Sequence, residues 1–228
     1  LLQKEKSIVT PLAGTTRDSI DSFLRYHKKD IRLIDTAGLR KKSKITGDLE
    51  FYSTVRTFRV IQDCDVAAVL IDANKGFNNQ DKDIIRHVID SGKGLIIVVN
   101  KWDLLKKNTH TQKEFRQDII DQYPVLGYYP ILFISVSHNL RTREVLKMTL
   151  TVFNERQKKI KTADVNEFIK RAISYHAPPV IKGKNISIKY GAQVHHSPPI
   201  FVFFTNQPSA IPVQYKRYLE NSLRDHFG

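Results

Sequence analysis

Four short aliphatic runs, each followed at once by a polar turn, constrain this chain more than any other feature. They are Ile31 to Ile34, Val66 to Ile71, Leu95 to Val99 and Ile131 to Ile134. Runs that are apolar with little alternation belong to strands covered on both faces. Between them lie stretches with helical spacing and one polar face: Leu49 to Gln62, Gln80 to Asp90 and Thr111 to Gln122. Strand and helix in alternation predict right-handed crossovers and an α/β layer fold with an open, mostly parallel sheet. Ser19 to Tyr26 is expected as a further strand beside Ile31 to Ile34, joined to it by a turn around Lys28 to Asp30.

The pattern changes after about Lys158. Gln157 to Lys161 reads as the end of a helix and a linker, and Thr162 offers an N-cap. Val165, Phe168, Ile169, Ala172 and Ile173 then make one apolar helix face, which Pro178-Pro179 closes off. Ile186 to Val194 reads as a strand with Ile186, Ile188 and Tyr190 on one side. Ile200 to Phe204 is a second strand, and Val213 to Phe227 a last helix with Tyr215, Tyr218, Leu219 and Leu223 as its buried stripe. The expected organisation is therefore a larger domain over 1–158 and a small α+β domain over 159–228.

Composition narrows the function. No apolar run approaches the roughly 18 residues of a membrane span, so no membrane partner is expected. The single cysteine, Cys64, rules out an intrachain disulfide and a Cys-rich zinc site. A reducing cytoplasmic home fits. The net charge is +14, divided as +8 (27 basic, 19 acidic) over 1–158 and +6 (10 basic, 4 acidic) over 159–228. A basic balance of this size points to a polyanionic partner such as RNA. His195-His196, on opposite faces of a strand, is read as structural or solvent-exposed rather than as a metal pair.

In open α/β sheets ligands bind beyond the C-terminal ends of the strands, so the residues that follow each run carry the chemistry. Asp35-Thr36-Ala37-Gly38 follows the first. There Asp35 is placed to hold Mg²⁺, and Gly38, with no side chain, lets its N–H approach a terminal phosphate closely. Asn100-Lys101-Trp102-Asp103 follows the third. A carboxylate at Asp103 accepts two hydrogen bonds from the guanine N1–H and exocyclic amine. Adenine offers neither donor and would leave the carboxylate unpaired. Asn100 and Lys101 would brace this loop and cover the base, with Trp102 packing nearby. Ser135-Val136-Ser137 follows the fourth, where backbone N–H groups are placed to meet the guanine O6. Upstream, Ala13-Gly14-Thr15-Thr16-Arg17-Asp18 offers a threonine hydroxyl for a Mg²⁺ shell.

With these motifs in this order, the chain resembles the Der (EngA) family of bacterial ribosome-assembly GTPases. The stretches AGTTRDSID (13 to 21), LIDTAGLRKKSKI (33 to 45), IIVVNKWDL (96 to 104) and KRYLENSLRDHFG (216 to 228) carry the resemblance. It implies a P-loop GTPase domain, the second of two in that family, followed by a KH-like domain. It also implies GTP or GDP with Mg²⁺ as ligands, the large ribosomal subunit and its rRNA as partner, and a monomer. Asp35, Thr36, Ala37, Gly38, Leu39, Asn100, Lys101, Trp102, Asp103, Ser135 and Val136 would bind the nucleotide. Thr16, with Thr15 beside it, would complete the Mg²⁺ shell. Leu39 stands where many small GTPases hold a water-orienting glutamine, and K⁺ near the phosphates would supply some of the missing charge stabilisation. Arg40 to Lys44 would form a basic switch segment.

Two departures bear on these expectations. The phosphate loop G-x-x-x-x-G-K-[ST] occurs nowhere in the 228 residues. In the family it lies just before the position matched by Leu1, so the chain alone is expected to bind nucleotide poorly and to hydrolyse it negligibly. The small domain has no two glycines three apart, hence no GXXG clamp. It is read either as a domain docking on the GTPase or as an rRNA contact, with Lys182, Lys184, Lys189, Lys216, Arg217 and Arg224 as candidate phosphate partners. An Era-like or tRNA-modification GTPase is the alternative enzyme. A basic RNA-binding scaffold without catalysis is the alternative of another class, and the residues before Leu1 discriminate between them.

Overall fold

The computed structural model describes residues 22–34, 57–106, 108, 110–181 and 183–228. They fall into two compact units, divided between Val152 and Phe153.

In the first unit, strands β1 (Ser22–Tyr26) and β2 (Lys29–Leu33) form an antiparallel hairpin. Its turn residues, His27 and Lys28, have φ of 49° and 62°. Positive φ at both central positions gives the turn whose twist matches that of paired strands. The turn thus sits one residue earlier than the sequence indicates. The two-sided burial expected of Ile31 to Ile34 is not found. Among the described residues β2 pairs only with β1, and none of its side chains is fully buried.

Three parallel strands form the main sheet in the order β3 (Val66–Asp72), β4 (Gly94–Asn100), β5 (Ile131–Phe133). Only β4, with a neighbour on each side, is buried almost throughout. Leu95, Ile97 and Val99 face one core, shared with Ile71, Ile85, Val88, Ile119, Leu126 and Phe133. Ile96 and Val98 face a second core with Ile134 and Val145. β3 buries Val69 and Ile71 but leaves Leu70 45% exposed, so its continuous apolar run reflects one covered face rather than two. Residues 57–63 are helical; the rest of the helix expected from Leu49 lies outside the described residues.

Helix α1 (Asn79–Asp90) starts on a reciprocal cap. The Asn78 side chain accepts from the Asp81 N–H at 3.1 Å, and the Asp81 carboxylate accepts from the Asn78 N–H at 3.3 Å. Such caps satisfy orphan donors of the first turn. Helix α2 (Thr111–Gln122) follows, and α3 (Thr142–Arg156) runs across the division between the units.

In the second unit, helices α4 (Thr162–Tyr175) and α5 (Val213–Phe227) lay Val165, Phe168, Ile169, Ala172, Tyr215 and Leu219 against a two-stranded sheet. A short hairpin, β6 (Val180–Ile181) and β7 (Lys184–Asn185), precedes that sheet, β8 (Ile188–His196) and β9 (Pro199–Thr205). The N-cap of α4 is Lys161, whose backbone is extended; Thr162 is already helical and does not cap. Tyr190 does not share a face with Ile188, because the register shifts between them. Ile188 is buried, while Tyr190 is half exposed and its ring stacks on Phe204 at 4.3 Å. A second shift falls between Gln193 and His195, after which the exposed His195 and His196 rings lie 5.6 Å apart with planes 23° from parallel.

Gly191 passes close to α4. Asn166 brackets it, with Oδ1 accepting from the Gly191 N–H at 3.0 Å and Nδ2 donating to the Gly191 carbonyl at 3.1 Å. A Cβ at 191 would lie 2.7 Å from both Ile169 Cδ1 and Phe203 Cδ1, so only glycine fits here.

Candidate functional site

The C-terminal ends of β3, β4 and β5 bring together three polar segments that lie far apart in sequence. In-register pairing sets Asp72 beside Asn100 and Val99 beside Phe133. Asp72, Asn100 to Asp103 and Ser135 to His138 therefore share one edge, where open α/β sheets bind ligands.

Asn100 ends β4, and its Oδ1 accepts from the Val136 N–H at 3.1 Å. This ties the loop after β5 to the loop after β4. Lys101 takes the left-handed conformation, with φ 62° and ψ 31°. That conformation is uncommon in a non-glycine residue and turns the chain sharply. Its ammonium is thereby brought 2.6 Å from Asp72 Oδ2. The Asp72 carboxyl is held below the usual carboxylate range, chiefly by this hydrogen bond and further by the Asn74 N–H. Trp102 opens a 3₁₀ turn (Trp102–Leu104) and is buried. Its N–H bonds to the Ile134 carbonyl at 3.0 Å, and its ring packs 4.5 Å from Phe133 and 5.6 Å from Phe115. An indole locked on both sides fixes where its neighbour Asp103 emerges.

The Asp103 side chain is 16% exposed, a carboxylate largely withdrawn from water. His138 Nδ1 lies 3.3 Å from its Oδ2. The same nitrogen is 3.2 Å from Ser137 Oγ and 3.3 Å from Ser135 Oγ. Ser135 is fully buried, exchanges backbone hydrogen bonds with Leu140, and accepts from the His138 N–H at its Oγ. Asn100, Lys101, Trp102, Asp103, Ser135 and Val136 are thus brought to one place. The edge offers a fixed carboxylate beside an ordered loop, which suits a planar ligand with two adjacent donors.

Asp35, Thr36, Ala37, Gly38, Leu39, Thr15 and Thr16 lie outside the described residues, as do Arg40 to Lys44 and Lys182. In the second unit, Lys189, Lys216 and Arg217 are exposed. Lys184 lies on β7. Arg224 is engaged with Glu220 at 2.9 Å, one turn earlier on α5. Asp72 and His138 escaped sequence reasoning. Asp72 was findable as the polar residue closing an aliphatic strand at the same edge. His138 carried no such mark, since its approach to Asp103 depends on the turn after β5. Among the described residues no group of three or more His, Cys, Asp or Glu is placed to hold a metal, and no helix is long and apolar enough to cross a membrane.

Comparison with known proteins adds the wider context. Residues 1–101 match the profile of the 50S ribosome-binding GTPase family, and residues 159–228 that of the KH-domain-like region at the C-terminus of EngA bacterial GTPase enzymes. The curated GTPase Der of Amoebophilus asiaticus is 44% identical over 228 residues, covering all of this chain and 53% of the relative. GTPase Der of Chlorobium phaeobacteroides is 43% identical over 227 residues, and that of Halothermothrix orenii 41% over 228, each with 52% of its length covered. The chain spans about half the length of the curated relatives it matches. Among solved structures, Aquifex aeolicus Era bound to GDP and AlF₄⁻ aligns with 96% of this chain and 79% of its own, at 18% identity and a TM-score of 0.51. That likeness supports the fold: a parallel sheet with helices of P-loop GTPase type, followed by a KH-like domain.

Proposed function

We propose, on the premise that this chain belongs to the GTPase Der (EngA) family, that it forms the base-reading part of a GTP-binding and GTP-hydrolysing switch in ribosome biogenesis. The observation that carries the reading is the convergence of Asn100, Asp103 and the Val136 loop at the end of the central strand. Asp103 would accept from the guanine N1–H and exocyclic amine. The Val136 loop, braced by Asn100, would lie against the O6 edge, and the Lys101 stem would cover the base. A site built this way rejects adenine, which leaves the carboxylate unpaired.

The phosphate end of the ligand belongs to the same proposal. Asp35, Thr36, Ala37, Gly38 and Leu39 would meet the phosphates. Thr16, with Thr15, and Asp35 would hold Mg²⁺, which supplies charge neutralisation between the phosphates when bound. K⁺ near the phosphates is proposed as a further cation. The KH-like profile begins at residue 159, which supports reading 1–158 as the GTPase domain and 159–228 as the KH-like domain. The large ribosomal subunit is the proposed partner. The name of the 50S ribosome-binding family and the +6 charge of residues 159–228 support it, with Lys189, Lys216 and Arg217 as candidate rRNA contacts. A monomeric, cytoplasmic protein is expected.

Asp103→Asn tests the base reading directly. In the full-length gene product the variant is expected to lose GTP affinity and gain affinity for xanthosine triphosphate, whose edge replaces a donor by an acceptor. Undiminished preference for GTP would sink the assignment.

A further inference from the structure

We infer that His138 is a positioning residue for guanine discrimination, setting the tilt of the Asp103 carboxylate so that both of its oxygens meet the base. The inference rests on the base-reading role proposed for Asp103.

Three observations lead to it. His138 Nδ1 stands 3.3 Å from Asp103 Oδ2. With its proton on Nδ1 the ring can serve Oδ2, sharing that nitrogen with Ser135 Oγ and Ser137 Oγ. The residue is anchored through its backbone N–H, bonded to Ser135 Oγ, while its side chain is 69% exposed with Ser137 Oγ 3.2 Å from Nδ1. Ser135 is anchored in turn by its backbone bonds to Leu140, at 3.1 and 2.8 Å. The chain of contacts runs from a buried serine through the imidazole to one named oxygen of Asp103.

The consequence is geometric. A side-chain carboxylate turns readily about its last bond, a broad torsion with weak preferences. Two-point recognition of guanine needs both oxygens in the plane of the base, whereas one-point recognition tolerates a turned carboxylate. A donor fixed on Oδ2 from the loop side limits that rotation. Each carboxylate oxygen has more than one acceptor site, so Oδ2 can serve the histidine and the base together.

Hypoxanthine separates orientation from general damage. Inosine diphosphate keeps the N1–H but lacks the exocyclic amine, so it uses one carboxylate oxygen where GDP uses two. Titration calorimetry of GDP and of inosine diphosphate on the full-length gene product reads the ratio of the two affinities. Any second nucleotide site serves as an internal reference that the substitution leaves unchanged. For His138→Ala, GDP affinity is expected to fall about tenfold, equivalent to roughly 1.4 kcal/mol, while inosine diphosphate affinity changes less than about twofold. His138→Asn, which keeps a donor near the same place, is expected to restore most of the ratio. An equal loss for both nucleotides would mean that His138 merely supports the loop, and no loss for either would mean that it does nothing at this site; either result overturns the inference. Equal binding of GDP and inosine diphosphate by the unsubstituted protein would instead overturn the role of Asp103 on which it stands.

Discussion

Asp72 Oδ2 and Lys101 Nζ lie 2.6 Å apart, joining the end of one strand to the loop after the next. The contact exists because Lys101 adopts a left-handed backbone, which swings its side chain back over β3. Lys101 is half exposed while Asp72 is mostly covered. The pair therefore acts more as a brace for the loop than as a large source of stability.

Its pH dependence has a definite sign. The Asp72 carboxyl titrates below its ordinary value of 3.8 in the folded chain, because Lys101 favours the charged form. Its contribution is thus complete above the unfolded value, about 3.9, and is lost as pH falls through the lower folded value. Asp72→Asn should cost less at pH 3 than at pH 7, since below the unfolded value part of the carboxylate's contribution is lost. Urea midpoints at the two pH values check this. Equal differences at both would contradict the brace.

Gly191 and Asn166 give a sharper prediction for the small domain. Gly191→Ala drives a methyl to 2.7 Å from two core side chains and 3.0 Å from the Val202 carbonyl. Overpacking of this kind costs about 1–3 kcal/mol. Asn166→Ala leaves the Gly191 N–H and carbonyl without their side-chain partner, a loss of similar size, about 1–3 kcal/mol. The two should be less than additive in the double variant, since both disturb one contact. Denaturant unfolding of the three variants decides the matter.

Tyr215 extends the same reasoning to high pH. Its hydroxyl donates to the His176 carbonyl at 2.9 Å, and burial pushes its phenol up to about 12. The neutral form is favoured in the fold, so this contribution is complete below the unfolded value near 10 and is lost as pH rises through about 12. Tyr215→Phe should destabilise the domain by about 0.5–1.5 kcal/mol at pH 7. It should also flatten the decline in stability above pH 10. An unchanged alkaline profile would show that ionisation of buried Tyr215 does not govern it.

The sheet and its site edge were legible because strands covered by helices must be apolar and must end in polar turns. Leu95 to Val99 and Asn100 to Asp103 state both facts in consecutive residues. The binding edge follows from strand direction alone. Tyr190 was misplaced because two-residue alternation holds only while the register holds, and the shift after Ile188 rests on pairing that no local pattern records. The brace from Lys101 to Asp72 and the contact from His138 to Asp103 were invisible for a related reason. Each depends on a backbone reversal that brings together residues 29 and 35 positions apart. Thr162 misled for a local reason: a good capping residue does not cap once its own backbone is helical, and the extended N-cap position falls one residue earlier, at Lys161.

The bracket around Gly191 has an evolutionary consequence. Asn166 holds both backbone groups of Gly191 and also donates to the Thr162 carbonyl, and Gly191 has no room for a side chain. Drift at 191 therefore meets a barrier set by Ile169, Phe203 and the Val202 carbonyl. A lineage that replaces the glycine should show compensating retreat at Ile169 or Phe203.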